Sequence, residues 1–178
     1  MKYSRAGTTL IEVLVYSMIF IIVVGGMMML AFAMLTSAEQ ANSQIEVSDN
    51  ARLFIQNVEV MVRNASSINS PFPGASANSL SLNIDPASYL QNYATGAGWG
   101  LSANPIVYTL VNGVLTLQIA AVVPFPITNS FVTVSGLTFS NNQYSPETKN
   151  TIRVRAKITS VQPINPASVS LDFSVSID

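Results

Sequence analysis

The 178-residue chain contains no cysteine and no histidine. Without cysteine it has no disulfide, no thiolate metal ligand and no thiol nucleophile. Without histidine it lacks the commonest general base and the commonest metal ligand. Charge is scarce as well: 10% of the residues are charged, against about 25% in a typical soluble domain. A formal net charge of −1 points to neither nucleic acid nor acidic lipid as a partner. Asp85, Glu147, Asp172 and Asp178 do not have the spacing of a calcium loop. No phosphate-binding loop, Gly-x-Ser-x-Gly elbow or paired-carboxylate arrangement occurs. These absences argue against an enzyme and give no basis for a metal site or a cofactor.

What is present is concentrated at the N-terminus. Val13 to Leu35 carries no charge, and Glu12 is the only charged residue between Arg5 and Glu39. Leu10 to Leu35 is 26 residues, about 39 Å as a helix, enough to cross a hydrocarbon core of ~30 Å. Lys2 and Arg5 precede it and no further Lys or Arg follows until Arg52, so the positive-inside rule puts the N-terminus in the cytoplasm and the remainder outside. An acidic residue at the centre of a membrane helix costs roughly 3 kcal/mol, less near an end, so a chain that keeps one is expected to use it. A residue at the membrane surface that snorkels is the plainer alternative. An ordinary secretory signal is a rival for the whole segment, since Ala31-Phe32-Ala33 resembles its cleavage site. Its apolar core is normally about 7–15 residues, shorter than this one, and does not contain an acid.

The run Gly7-Thr8-Thr9-Leu10-Ile11-Glu12-Val13-Leu14, behind the basic leader Met1-Lys2-Tyr3-Ser4-Arg5-Ala6, resembles the N-terminus of type IV pilins and type II secretion pseudopilins. The resemblance covers about the first 35 residues. It implies a leader, residues 1–7, removed by prepilin peptidase between Gly7 and Thr8, with Thr8 then N-methylated and Glu12 retained as the filament-assembly carboxylate. In that family the carboxylate pairs with the N-terminal amine of a neighbouring subunit inside the membrane, which neutralises two costly charges and fixes the stagger. The family's usual residue after the cut is Phe, and here it is Thr8, a departure that bears on methylation rather than on membership. Removing the leader takes the side-chain charge from −1 to −3. Many major pilins staple the C-terminal region with a disulfide, so the missing cysteine leans toward a minor pilin or pseudopilin, or toward a host that makes no periplasmic disulfides.

Helical spacing continues past the membrane segment. Ala41, Ile45, Ala51, Phe54 or Ile55, Val58, and Met61 or Val62 recur on one side, with Glu46, Asp49, Arg52, Gln56, Glu59 and Arg63 on the others. No Pro or Gly interrupts from Met27 to Ser70. The pattern predicts one helix from about Thr8 to Arg63, 8–35 as the transmembrane and assembly half and 36–63 packed on a globular part, with Asn64-Ala65-Ser66-Ser67 as the stop. Gly25-Gly26 is its soft spot, each glycine costing about 1 kcal/mol against alanine. The pair serves either as a point where the helix melts in a filament, as pilin helices do, or as a site of close helix packing.

Residues 64–178 read as β. Leu80, Leu82 and Ile84 alternate with polar residues. Asn112-Gly113 is the favoured two-residue hairpin turn, which pairs Val111 with Val114, Leu110 with Leu115, Tyr108 with Leu117 and Ile106 with Ile119. Phe131 to Ser140 is a strand with a bulge or kink at Gly136. Thr151 to Thr159 and Ser168 to Ile177 alternate strictly, with Pro163-Ile164-Asn165-Pro166 as the turn between them. One-sided alternation predicts an antiparallel sheet with a single buried face, covered by the second half of the helix. The fold class is α+β: a long N-terminal helix, transmembrane in its first half, on a C-terminal antiparallel sheet, the arrangement that the pilin resemblance also implies.

Two further groups are candidate partner surfaces. Arg153, Arg155 and Lys157, with Lys149 nearby, would line the exposed face of one strand. They suit an acidic partner subunit, or DNA as in minor pilins that take part in DNA uptake; routine protection of a strand edge is the favoured account. No aromatic residues interleave as a single-strand platform requires, so nucleic acid is disfavoured. The connection from Asp85 to Pro105 holds Tyr89, Tyr93 and Trp99, residues of the kind that anchor interfaces, or that simply bury a loop on the sheet.

The expected function is structural: a minor pilin or pseudopilin, most like the J-type minor pseudopilins near a filament tip. Its partners are then other pilin or pseudopilin subunits, prepilin peptidase and the inner-membrane assembly platform. It starts in the cytoplasmic membrane as a single-pass protein and passes into a periplasmic or extracellular filament. A tip-subunit class that lacks the assembly glutamate does not fit. The alternative is a membrane-anchored or secreted binding or adhesin module without a filament.

Overall fold

A computed structural model describes residues 9–84, 104–143, 150–162 and 165–177. One helix, α1, runs from Leu10 to Arg63. The chain divides into two compact units, Met1–Ala41 and Asn42–Asp178.

In the first unit the described residues are helical from Leu10 onward, and every one of them is exposed. This is the one helix among the described residues that is long and apolar enough to cross a membrane, by length and composition. Apolar residues sit on all of its sides: Leu10, Ile11, Leu14, Met18, Phe20, Ile21 and Phe32 are each more than half exposed. The hydroxyls of Ser17, Thr36 and Ser37 bond to the helix's own carbonyls. Ser17 donates to Leu14 O (2.9 Å), Thr36 to Phe32 O and Ala33 O, and Ser37 to Ala33 O (2.8 Å). A polar side chain satisfied locally in this way can sit in an apolar setting. The helix runs unbroken through Gly25 and Gly26, and a Cβ at either would meet nothing within 4 Å.

In the second unit α1 is amphipathic. Ser43, Val47, Asn50, Ala51, Phe54, Val58 and Val62 are buried, at steps of three and four. The stripe therefore runs through Val47, and the expected members Ala41 and Ile45 are exposed, Ile45 at 58%. The apolar set was dense enough to allow two neighbouring phases. The helix ends with Arg63 bonded to Glu59 (Nη2–Oε1 2.8 Å) and the Asn64 side chain on Val60 O. A cation in the last turn suits the helix dipole. The helix ends at Arg63, where the pattern placed its end; of the stop residues Asn64 is a turn, and Ala65, Ser66 and Ser67 already belong to β1, which covers Ala65–Ser70.

The strands form two open antiparallel sheets where one was expected. The first has the order β1 (Ala65–Ser70), β3 (Leu80–Ile84), β4 (Ile106–Val111), β5 (Val114–Ile119), β6 (Phe125–Pro126). The second has the order β2 (Ser76–Ala77), β7 (Val132–Asn141), β8 (Thr151–Ser160), β9 (Ser168–Ser176). The division has a local cause. The two residues of β6 occupy the free edge of β5, and Pro126 has no N–H to pass the ladder on. Phe125-Pro126 reads in the sequence as connection, so its pairing was invisible there.

The β4–β5 hairpin has the expected register throughout. Its turn needs both residues at positive φ, Asn112 at 51° and Gly113 at 78°. Gly113 also touches the second sheet. Its carbonyl accepts from Val134 N–H (2.7 Å), and a Cβ there would stand 2.7 Å from Thr133 Cγ2. The β7 bulge is at Gly136 (φ 61°), where pairing with β8 shifts between Ser135 and Thr138.

Inward residues of both sheets and the α1 stripe share one core, in which Phe54, Tyr108, Phe139, Ile152 and Ile158 have no exposure above 0%. Phe54 meets Phe173 edge to face at 6.0 Å. Burial pushes the Tyr108 hydroxyl well above its ordinary pKa, and as a neutral donor it reaches Asn57 Oδ1 at 3.0 Å. The 127–131 connection is tied to the same helix: Asn129 N–H donates to Asn50 Oδ1, and its side chain to Glu46 Oε2.

Candidate functional site

Thr9 opens the helix: its carbonyl accepts from Glu12 N–H (3.0 Å) and Val13 N–H (3.3 Å). Glu12 is thereby in the first turn, where a negative side chain suits the helix dipole. The one described contact of its carboxylate is with Tyr16, whose hydroxyl donates to Oε1 at 3.3 Å. Residues four apart share a helix face, so the Glu12–Tyr16 pair follows from α-helix geometry. Sequence reasoning passed over Tyr16, although the i,i+4 spacing was its signal. Among the described residues Glu12 has no ion pair. Within the described helix its carboxylate has one neutral side-chain donor and no cationic partner.

Gly7 and Thr8, the expected cleavage and methylation positions, lie outside the described residues, as do Tyr89, Tyr93 and Trp99. Arg153, Arg155 and Lys157 lie on the outward face of β8, alternating with buried Ile152, Val154, Ala156 and Ile158. That strand is central, flanked by β7 and β9. Protection of a free edge is therefore not what these cations do, a correction to the favoured sequence reading. Two of them converge on β9 instead. Arg153 forms a two-pronged pair with Asp172 (2.7 Å to each oxygen), and Arg155 Nε stands 3.3 Å from Oδ2. The hydrogen bond from Arg153 holds the Asp172 carboxyl below the usual carboxylate range. Lys157 has no ion pair among the described residues.

A shallow cleft of about 580 Å³ is lined by Asn42, Ser43, Ile45, Glu46, Phe131 and Val161 among others. Its one carboxylate, Glu46, already accepts from Asn129. It contains no paired nucleophile and base. Among the described residues no three of the metal-ligating acids cluster.

No protein-family model matches the sequence, and neither the curated proteins nor the solved structures compared with it contain a match.

Proposed function

We propose that the chain is a structural subunit of a type IV pilus-like or type II secretion filament, a minor pilin or pseudopilin. One observation carries this reading: a single helix holds Glu12 in its first turn, is apolar on every side to Leu35, and then becomes the one-sided spine of an antiparallel β unit. The first stretch has no core of its own, so it is built for lipid and for the like stretches of sister subunits. Glu12, uncompensated within its own helix, awaits a cation from outside it, and the processed N-terminal amine of the adjoining subunit supplies one.

In this reading prepilin peptidase cuts between Gly7 and Thr8 and methylates Thr8, the N-terminus faces the cytoplasm and the β unit lies outside. The assembly platform then moves the subunit into the filament, where it resembles the J type. The protein has no catalytic role. The test is Glu12→Ala. The variant inserts into the membrane as the parent does and is lost from filaments, measured as the subunit ratio in sheared filament fractions. Normal incorporation of that variant would overturn the reading. A mature N-terminus at Met34 instead of Thr8 would turn it toward the secreted binding module.

A further inference from the structure

The edges of the two sheets are not equally protected. Among the described strands, β2 and β6 have two residues each, β6 includes Pro126, and β1 is broken by two register shifts. Short strands, proline and bulges are the usual devices that stop an edge from pairing. The outer edge of β9 has none of them. Its nine residues, Ser168-Val-Ser-Leu-Asp-Phe-Ser-Val-Ser176, contain no proline and no cation, and they pair with β8 without a shift.

The bonds Ser160 N–H to Ala167 O (2.9 Å) and Ile177 N–H to Asn150 O (3.0 Å) fix the phase of that pairing. Alternate residues bond across an antiparallel ladder, so odd-numbered residues of β9 face β8. The backbone groups of Ser168, Ser170, Asp172, Ser174 and Ser176 point to the open side, and no described strand pairs there. The apolar layer is also unfinished at this edge. Val169 and Phe173 are on the inward face, yet both are only half-buried. At Val169 there is a cleft of about 290 Å³ between Gln44, Val47 and Ser48 of α1 and Ala167, Ser168 and Val169. An open edge, half-covered apolar side chains and a cleft against a helix are the parts of a strand-addition site.

We propose that the β9 edge and this cleft receive an extended segment of another protein, one that alternates apolar with acidic side chains. Main-chain bonds to the even-numbered residues hold it. One of its apolar side chains enters the cleft at Val169, and others lie along the inward face over Phe173. Its acidic side chains lie on the outer face, where the described strands β7, β8 and β9 present Arg153, Arg155 and Lys157 against the single acid Asp172. Lys157 is in the row of Ser170, one strand from the added segment. A second copy of the chain is the other occupant to weigh, because β9 reads nearly the same in both directions about Asp172. Two-fold pairing would set Asp172 against Asp172, which is unfavourable.

The test uses the full chain in detergent micelles and a nine-residue peptide of alternating valine and glutamate, followed by amide hydrogen exchange. The peptide binds saturably and slows exchange at Ser168, Ser170, Asp172, Ser174 and Ser176. Ser170→Pro and Ser174→Pro each remove an outward N–H and no bond to β8, so they weaken binding by about tenfold at unchanged thermal unfolding. Lys157→Glu, which leaves the backbone alone, shifts the preference to a valine–lysine peptide and decides the matter should the proline variants not fold. Three results would each overturn the proposal: those amides already protected without peptide, proline variants that bind like the parent, or a parent chain that binds the valine–lysine peptide equally well. Self-association of the parent that Ser170→Pro abolishes would assign the edge to a second copy and overturn the choice of occupant. Because no filament is required, failure here is separable from failure of the Glu12→Ala test.

Discussion

The two parts of α1 are one helix built on two different sequence rules. From Leu10 to Leu35 apolar side chains point every way and none is buried. From Ser43 to Val62 a single stripe is buried, flanked by the half-buried Ile55 and Met61, and the remaining residues are polar or exposed. A helix that is apolar all round belongs in an apolar surrounding, whereas a striped helix carries its own partner layer. The contrast locates what each half needs: the first requires other molecules and the second requires only the sheets of its own chain.

The widest separation between the halves is expected from phenylalanine truncation. Phe54 has 0% exposure, and Phe20 is 68% exposed. Phe54→Ala removes a core ring and the edge contact to Phe173, and should destabilise the β unit by about 3–5 kcal/mol. Phe20→Ala should leave the denaturation midpoint of that unit unchanged in the same micelles. A loss of stability at Phe20 comparable to that at Phe54 would break the division between the two halves.

Glycine gives a smaller and oppositely signed contrast. Gly25→Ala has open space for its Cβ and lies in a helix, so it should raise helix stability by about 1 kcal/mol. Gly113→Ala must hold φ near 78° and brings a Cβ to 2.7 Å from Thr133 Cγ2. It should cost about 1–3 kcal/mol, seen as a lower unfolding midpoint of the β unit. Should Gly25→Ala leave helix content intact and yet block filament incorporation, the pair is needed by a neighbouring molecule and not by the helix itself.

How far the fold could be read in advance follows from which signals are local. The β4–β5 hairpin was legible because Asn112-Gly113 fixes both turn type and register. The strands β8 and β9 were legible because their alternation admits one inward face. The split into two sheets was not legible, since it depends on Phe125 and Pro126 taking the edge of β5, a pairing without periodicity. The stripe through Val47 in place of Ile45 was lost for the opposite reason, an excess of apolar residues. At the candidate site Glu12 stood out as a lone charge, while Tyr16 is ordinary until helical geometry sets it on the same face. The convergence of Arg153 and Arg155 on Asp172 needed the register of β8 with β9, and residues 163–166 do not fix that register by length alone.

The smallest effect expected concerns the two acids that anchor the comparison. Glu12 has a neutral donor, Tyr16, whereas Asp172 has two guanidinium groups. The hydrogen bond from Arg153 lowers the pKa of Asp172 in the folded protein. A carboxylate with a depressed folded pKa adds stability that is present above its unfolded value, about 3.9, and lost as pH falls through the folded value. Asp172→Asn should therefore be slightly less stable than the parent above the unfolded value, and the two should converge as the pH falls through the lower folded value. The group is exposed, so solvent screening keeps the difference small and added salt should shrink it further. A gap between parent and variant that persists unchanged at low pH would mean that Asp172 matters for its shape in the strand, and that the charge pairing on this face contributes nothing to the unit's stability.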